Sequence, residues 1–273
     1  MSGFIFTGSL IWSGISLVKH LSENMSPSPT PSNSTPRGDA RFHTTRWSMV
    51  LSLGEDDTQQ TAAALSELCQ QYWYPIYAFA RRQGNDASAA SDLTQAFFCN
   101  VLERDVLTEA SPDRGRFRTF LLACFKNFQR NEHRREVAEK RGGKVKTFAF
   151  DPDLGESRYR QEPTHDETPE RLFERRWAMT LLDRALQQLD AEFACSGKQE
   201  LYEALKPFLS GTPATSSYRE IGETFIMSPT AIKVTMHRLR TRYRELLREE
   251  IRQTVGSAEE VEEELQKLFE AFS

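Results

Sequence analysis

The stretch Ser228 to Tyr243, "SPTAIKVTMHRLRTRY", constrains what this chain can fold into more than any other. Ile232, Met236, Leu239 and Tyr243 follow one another at steps of four, three and four residues. That is the spacing of one apolar face of an α-helix. Ser228 suits an N-cap and Pro229 a first helical position, and no breaker follows before Gln253. The same stretch carries Lys233, Arg238, Arg240 and Arg242 and no acid. Two partners for that basic face are open, solvent or a polyanion.

Just upstream, "SYREIGETFIM" reads as a short helix. Ser217 is placed as its N-cap with Glu220 as capping-box partner. Gly222 leaves room for a close approach. A short helix, a tight turn and a longer basic helix make the helix-turn-helix pattern. Thr230, Lys233, Val234, His237, Arg238 and Arg242 fall off the apolar face. Those near the helix start could reach base edges in a major groove, and the later arginines phosphates. A face that only solvates a helix normally mixes signs, and this one does not.

The net charge of −4 conceals segregation. Residues 114–146 carry eleven Lys/Arg against three Glu, whereas 49–110 carry three Arg against nine acids. The tail 256–273 has six Glu and one Lys. A local basic patch attracts a polyanion whatever the total charge. Within the basic stretch, "FRTFLLACFKNFQRNEHRR" sets Phe117, Phe120, Leu121, Cys124, Phe125 and Phe128 on a core stripe. Its other face has Lys126, Asn127, Arg130, Asn131, Arg134 and Arg135, a mixture of amides and cations suited to bases and backbone. The loop before it, "SPDRGRFR", adds Arg116 and Arg118, and nearby rings could receive bases turned out of a duplex. The preceding helix, "ASAASDLTQAFFCNVLERD", has little positive charge. Leu93, Phe97, Val101 and Leu102 are its expected buried face, with Asp92, Gln95 and Glu103 outside, a better protein contact than a nucleic-acid reader.

Helical periodicity dominates the chain, and few windows alternate with strand period, so the expected class is all-α. The expected organisation is a leader over 1–40, a helical domain over 41–148, a flexible acidic linker over 149–168, a helix-turn-helix domain over 169–255 and an acidic, helical tail over 256–273. Residues 1–24 read as an over-extended reading frame or a floppy leader, with Met25 as a natural start and a weak signal peptide as the alternative. The apolar run near the N-terminus is short for a membrane span and has no preceding Lys or Arg. Cys69, Cys99, Cys124 and Cys195 stand singly without CxxC spacing. They read as buried, reduced thiols, which argues for the cytoplasm and against a metal or disulfide role.

Taken in order, "DLTQAFF", "RGRFRTFLLACFKNFQRNEHRR" and "SYREIGETFIMSPTAIKVTMHRLRTRYRELLREEI" resemble bacterial RNA polymerase sigma factors of the sigma-70 family, extracytoplasmic-function type. The resemblance runs from about Arg41 to Phe272 and includes "TTRWSMV" and the acidic tail. It implies two small helical domains, sigma region 2 and sigma region 4, the latter holding the helix-turn-helix. It also implies core RNA polymerase and promoter DNA as partners, with room for an anti-sigma factor or a regulatory kinase, no membrane and no cofactor. Polymerase contact is implied for Asp92, Leu93, Gln95 and Phe98. Reading and opening of the −10 element is implied for Arg116, Arg118, Lys126, Asn127, Arg130, Asn131, Arg134 and Arg135. Reading of the −35 element is implied for Ser228, Thr230, Lys233, Val234, His237, Arg238, Arg240 and Arg242.

The chain departs from that family where Ala96 replaces an acid, where Ile226 stands at a turn position that often carries Gly, and in a longer linker and tail. A β-branched residue forced to positive φ at Ile226 would be strained. The acidic linker or tail could also mask the basic faces when polymerase is absent. The competing reading is a helix-turn-helix regulator that binds DNA without polymerase and needs no Asp92–Gln95 surface. For an enzyme acting on nucleic acid the sequence offers no carboxylate pair, metal-ligand cluster or phosphate-binding loop; "KRGGK" lacks the strand-loop-helix setting.

Overall fold

The computed structural model describes residues 58–103, 116–138, 152–162, 167–210, 216–255, 257 and 259–272. Among them there is no strand. The helices are α1 (Thr58–Arg82), α2 (Ala87–Glu103), α3 (Phe117–Ala138), α4 (Pro152–Tyr159) and α5 (Pro169–Cys195), followed by α6 (Gln199–Ser210), α7 (Tyr218–Thr224), α8 (Pro229–Arg252) and α9 (Glu259–Glu270). The all-α expectation therefore holds among the described residues. The N-terminal leader, "TTRWSMV", "KRGGK" and most of "SGTPATSS" lie outside them.

The chain divides into two compact units. One contains Thr44–Leu181 and Ile251–Ala271, the other Leu182–Glu250. The division falls inside α5 and α8, not at the expected linker, and the C-terminal helix belongs with the first unit.

The first unit is built around aromatic side chains. Tyr72, Tyr77 and Phe79 of α1, Phe97 and Phe98 of α2, Phe117 and Phe125 of α3 and Trp177 of α5 are all at most 1% exposed. Phe125 meets Phe97 and Phe79 edge-on, with centroids 5.1 and 6.0 Å apart. Phe97, Phe117 and Phe125 come from the apolar stripes read in sequence, and burying all these rings supplies the main driving force for the unit. Cys69 is buried there too, and burial, with Cys99 nearby, pushes its thiol up to about 12. All four cysteines are free, but only Cys69 is buried as expected: Cys99 and Cys124 are half-buried and Cys195 is exposed.

The segment 149–168, expected as an open linker, is docked onto the first unit where it is described. Glu156 of α4 accepts from Tyr77 Oη at 2.8 Å and from Arg81 Nε at 2.9 Å. Hydrogen bonding from Arg81 holds its carboxyl below the usual carboxylate range. Beyond α4, Glu162 is 5% exposed. It accepts from Tyr74 Oη at 2.6 Å and pairs with Arg175 at 3.3 Å and with Arg176. Acidic residues that read as linker solvation are thus satisfied by cations and phenols of α1 and α5. A buried carboxylate is tolerated only with such partners.

Gly155 fixes how closely α4 can approach. A Cβ there would lie 2.7 Å from the outer ring edge of Trp73. Alanine normally stabilises a helix interior over glycine by about 1 kcal/mol. At Gly155 overpacking costs about 1–3 kcal/mol, so the sign reverses. Gly155→Ala is expected to lower the denaturation midpoint of the chain, and a rise in that midpoint would refute the close contact.

The second unit packs the C-terminal part of α5 with α6, α7 and most of α8. Leu189, Tyr202, Leu205, Ile232 and Tyr243 have no exposed surface. Tyr243 Oη donates to the Leu182 carbonyl at 3.2 Å and Tyr202 Oη to the Leu186 carbonyl at 3.3 Å. Glu250, also fully buried, accepts from Arg184 at 2.9 Å and from Gln188.

Candidate nucleic-acid interface

In the second unit, the site begins with two caps. The Ser217 backbone N–H donates to Glu220 at 2.6 Å, and Glu220 N–H donates to Ser217 Oγ at 3.3 Å. This is the capping box expected from the sequence, and it fixes the start of α7. Ser228 Oγ accepts from the Ala231 N–H at 3.1 Å and starts α8.

Between the two helices the chain turns through Ile226 at φ +54°, the one described non-glycine residue with positive φ. Phe225 N–H donates to the Ile221 carbonyl at 3.0 Å, and Met227 N–H to the Gly222 carbonyl at 2.8 Å. The second bond spans five residues and closes a left-handed C-terminal cap, a position where glycine is usual. Ile226 occupies it with its side chain 96% exposed, so no packing offsets the strain. Gly222 is the necessary glycine: a Cβ there would sit 2.5 Å from the Met227 carbonyl oxygen.

That turn aims α8. Ile232, Met236, Leu239 and Tyr243 are buried, as their spacing requires. Ser228, Thr230, Lys233, Val234, His237 and Arg238 are exposed. Thr230, Lys233, Val234 and His237 lie at steps that share one face, and Arg238 flanks them. Lys233, His237 and Arg238 make no ion pair among the described residues. Val234 is 46% exposed and leaves an apolar spot among polar groups. Two expected contacts are placed differently. Arg240 is half-buried and donates to the Phe208 carbonyl at 3.4 Å. Arg242 is exposed but held by Glu192 at 2.6 Å and by Glu245 at 3.0 Å. Its hydrogen bonds raise its pKa, and the bond from Arg242 lowers that of Glu192. Such exposed pairs are weak, about 0–1 kcal/mol, and a phosphate can displace the carboxylates.

In the first unit, Asn127, Arg130, Asn131 and Arg134 are exposed along one stripe of α3. Arg130 donates to Asn127 Oδ1 at 3.3 Å. Arg135 lies in α3, but its side chain is outside the described residues. Lys126 sits to one side, paired with Glu170 at 2.7 Å and 5.4 Å from the Phe79 ring. Phe120, Cys124 and Phe128, expected in the core stripe, are half-buried.

Arg116 and Arg118 are not free cations. Arg116 pairs with Glu263 at 3.1 Å and with Glu264. Arg118, 4% exposed, pairs with Glu174 at 2.5 Å and with Glu264, and its guanidinium lies 4.0 Å over the Trp177 ring. Burial lowers the pKa of Arg118 from its ordinary value. Reading Arg118 as a surface contact is therefore corrected: it is an internal node. On α2, Asp92 is exposed and Leu93 half-buried. Gln95, expected outside, is 9% exposed and donates to Ser91 Oγ at 3.2 Å. Phe98 has no exposed surface and meets Phe97 at 5.3 Å. Both are corrected to core positions. The helical period places 95 and 98 with buried Ser91, Thr94 and Val101, so Asp92 is left to present the outer surface.

The sequence reading missed Glu263 and Glu264 as partners of Arg116 and Arg118. A signal was present. Val261, Glu264, Leu265 and Leu268 share one helical face, and a glutamate inside an apolar stripe implies a buried cation opposite. Among the described residues no cluster of three or more His, Cys, Asp or Glu could hold a metal ion, and no helix is long and apolar enough to cross a membrane. No protein-family model, curated protein or solved structure matches the chain.

The geometry of the turn yields a paired test. Replacing Ile226 by Gly relieves a left-handed conformation worth about 1–2 kcal/mol, less about 0.5–1 kcal/mol of unfolded-state entropy. Ile226→Gly is expected to raise stability slightly in denaturant unfolding, and Gly222→Ala to lower it. A stabilised Gly222→Ala variant would contradict the close approach at Met227.

Proposed function

We propose that the protein is a promoter-specificity subunit of bacterial RNA polymerase, a sigma-type factor acting in the cytoplasm and not an enzyme. The observation that carries this reading is the second nucleic-acid-like face. A regulator that reads DNA through one helix-turn-helix does not need it. Here the exposed Asn127–Arg130–Asn131–Arg134 stripe of α3 lies in a different unit from the exposed Thr230–Lys233–His237–Arg238 face of α8. Amides beside cations suit strand capture, and a cation-bearing recognition helix suits the major groove.

In this reading α8 reads the −35 element, the α3 stripe binds the opened −10 strand, and polymerase holds the two at fixed spacing. Joining two weak sites raises their effective concentration, so neither needs high affinity alone. The polymerase contact rests chiefly on Asp92, with half-buried Leu93 beside it. An anti-sigma factor or regulatory kinase would act on these same surfaces.

The test is transcription in vitro with core polymerase on a randomised promoter library. The wild-type chain is expected to direct discrete start sites with a shared upstream element. Arg238→Ala should weaken use of that element by about ten- to a hundredfold, the size of a good base contact, while polymerase binding is retained. Asp92→Lys should reduce polymerase binding and leave the DNA preference intact. If no start site depends on the chain, and it binds DNA sequence-selectively with no polymerase present, the polymerase-independent regulator is the better account.

A further inference from the structure

We propose that the C-terminal helix α9 is a built-in competitor for nucleic acid, holding Arg116 and Arg118 at the head of α3 through Glu263 and Glu264. The inference rests on the reading of the α3 stripe as a strand-binding face, and it assigns that face its regulation.

Three observations point the same way. First, the contact is specific. The tail carries six glutamates, yet Glu264 alone is fully buried, and it pairs with both arginines. Second, stability alone does not explain the choice of charge. A buried ion cluster loses much of its attraction to desolvation, and well-packed apolar residues often do as well or better in its place. Glu263 is mostly in solvent: its side chain is 69% exposed and still reaches Arg116 at 3.1 Å. A carboxylate held against an arginine is chemically interchangeable with a phosphate oxygen, since both accept the same forked donor. Third, α9 is a short helix whose buried residues besides Glu264 are Val261, Leu265 and Leu268. A twelve-residue helix held by one narrow face can be displaced as a unit.

The two arginines also lie in the right place. Arg116 immediately precedes α3 and Arg118 is in its first turn, on the helix that carries Asn127 to Arg134 further along. The side chain of Arg116 is 17% exposed, so loss of α9 uncovers a cation next to the half-buried ring of Phe120. Arg118 keeps Glu174 and Trp177 when α9 leaves, so Arg116 is the cation chiefly released.

The experiment measures binding of a fluorescent single-stranded oligonucleotide to full-length variants at low salt. Glu264→Gln, nearly the same shape without the charge, should tighten binding by about three- to tenfold and steepen its salt dependence by about one phosphate contact. Glu263→Gln should tighten it by about twofold. Glu259→Gln removes the same charge from the exposed start of α9 and should leave binding unchanged. Adding Arg116→Gln to the Glu264→Gln chain should abolish the gain. The proposal is overturned if Glu263→Gln and Glu264→Gln bind like Glu259→Gln, if the gain survives Arg116→Gln, or if no variant binds the oligonucleotide. Should Glu264→Gln unfold, as circular dichroism would show, Glu263→Gln decides, because its carboxylate is exposed. Strand binding that responds to the tail without any polymerase-dependent transcription would overturn the polymerase reading and leave this one standing.

Discussion

A carboxylate with no exposed surface sets the organisation of the first unit. Glu264 cannot sit inside an apolar face without cations opposite it, and Arg116 and Arg118 supply them. That requirement ties the far C-terminus to the head of α3. It also draws in Glu174 and Trp177, which share Arg118. Glu162, buried between Tyr74, Arg175 and Arg176, does the same for the segment after α4. In both places a charge that cannot remain alone in low dielectric recruits a distant element, and neither contact is local in sequence.

The second unit has a different logic. Its faces are set by caps and one strained turn. Ser217 and Ser228 start α7 and α8, and Ile226 takes the left-handed position between them. A conformation that glycine adopts freely is here imposed on a β-branched residue, and the surrounding hydrogen bonds over-determine it. The outcome is a helix whose apolar residues face inward and on which Lys233, Arg238 and Arg242 face out. Acids are absent from the helix until Glu245, so the carboxylates that hold Arg242 come from further on, Glu245, and from α5, Glu192.

The expected site residues differ in exposure. The α8 face and the middle of α3 remain outward, where a groove or a strand could reach them. Gln95, Phe98 and Arg118 are interior, and Arg116, Lys126 and Arg242 are already held by carboxylates. Exposed pairs such as Arg242–Glu192 are weak enough for a polyanion to exchange with, whereas Arg118 is committed to packing. Residues of the same type, close together in the chain, therefore divide into outward-facing and packed groups according to what lies against them.

Local sequence sufficed for α2, α3, α7, α8 and α9, for the apolar face of α8, the capping box, the strained residue in the turn and the outward placement of Thr230, Lys233, His237, Arg238, Asn127 and Asn131. Each depends on neighbours within a turn or two, and period and capping chemistry are local. Only the tertiary structure decided that the segment read as linker is partly helical and docked, that α9 belongs to the first unit, and which arginines are free. Those outcomes depend on pairing between residues more than fifty or a hundred positions apart, as in Arg118 with Glu174 and Glu264. A charge pattern announces that a glutamate needs a cation, but several arginines could answer. Burial geometry made the choice, because desolvation removes every partner that is not in contact.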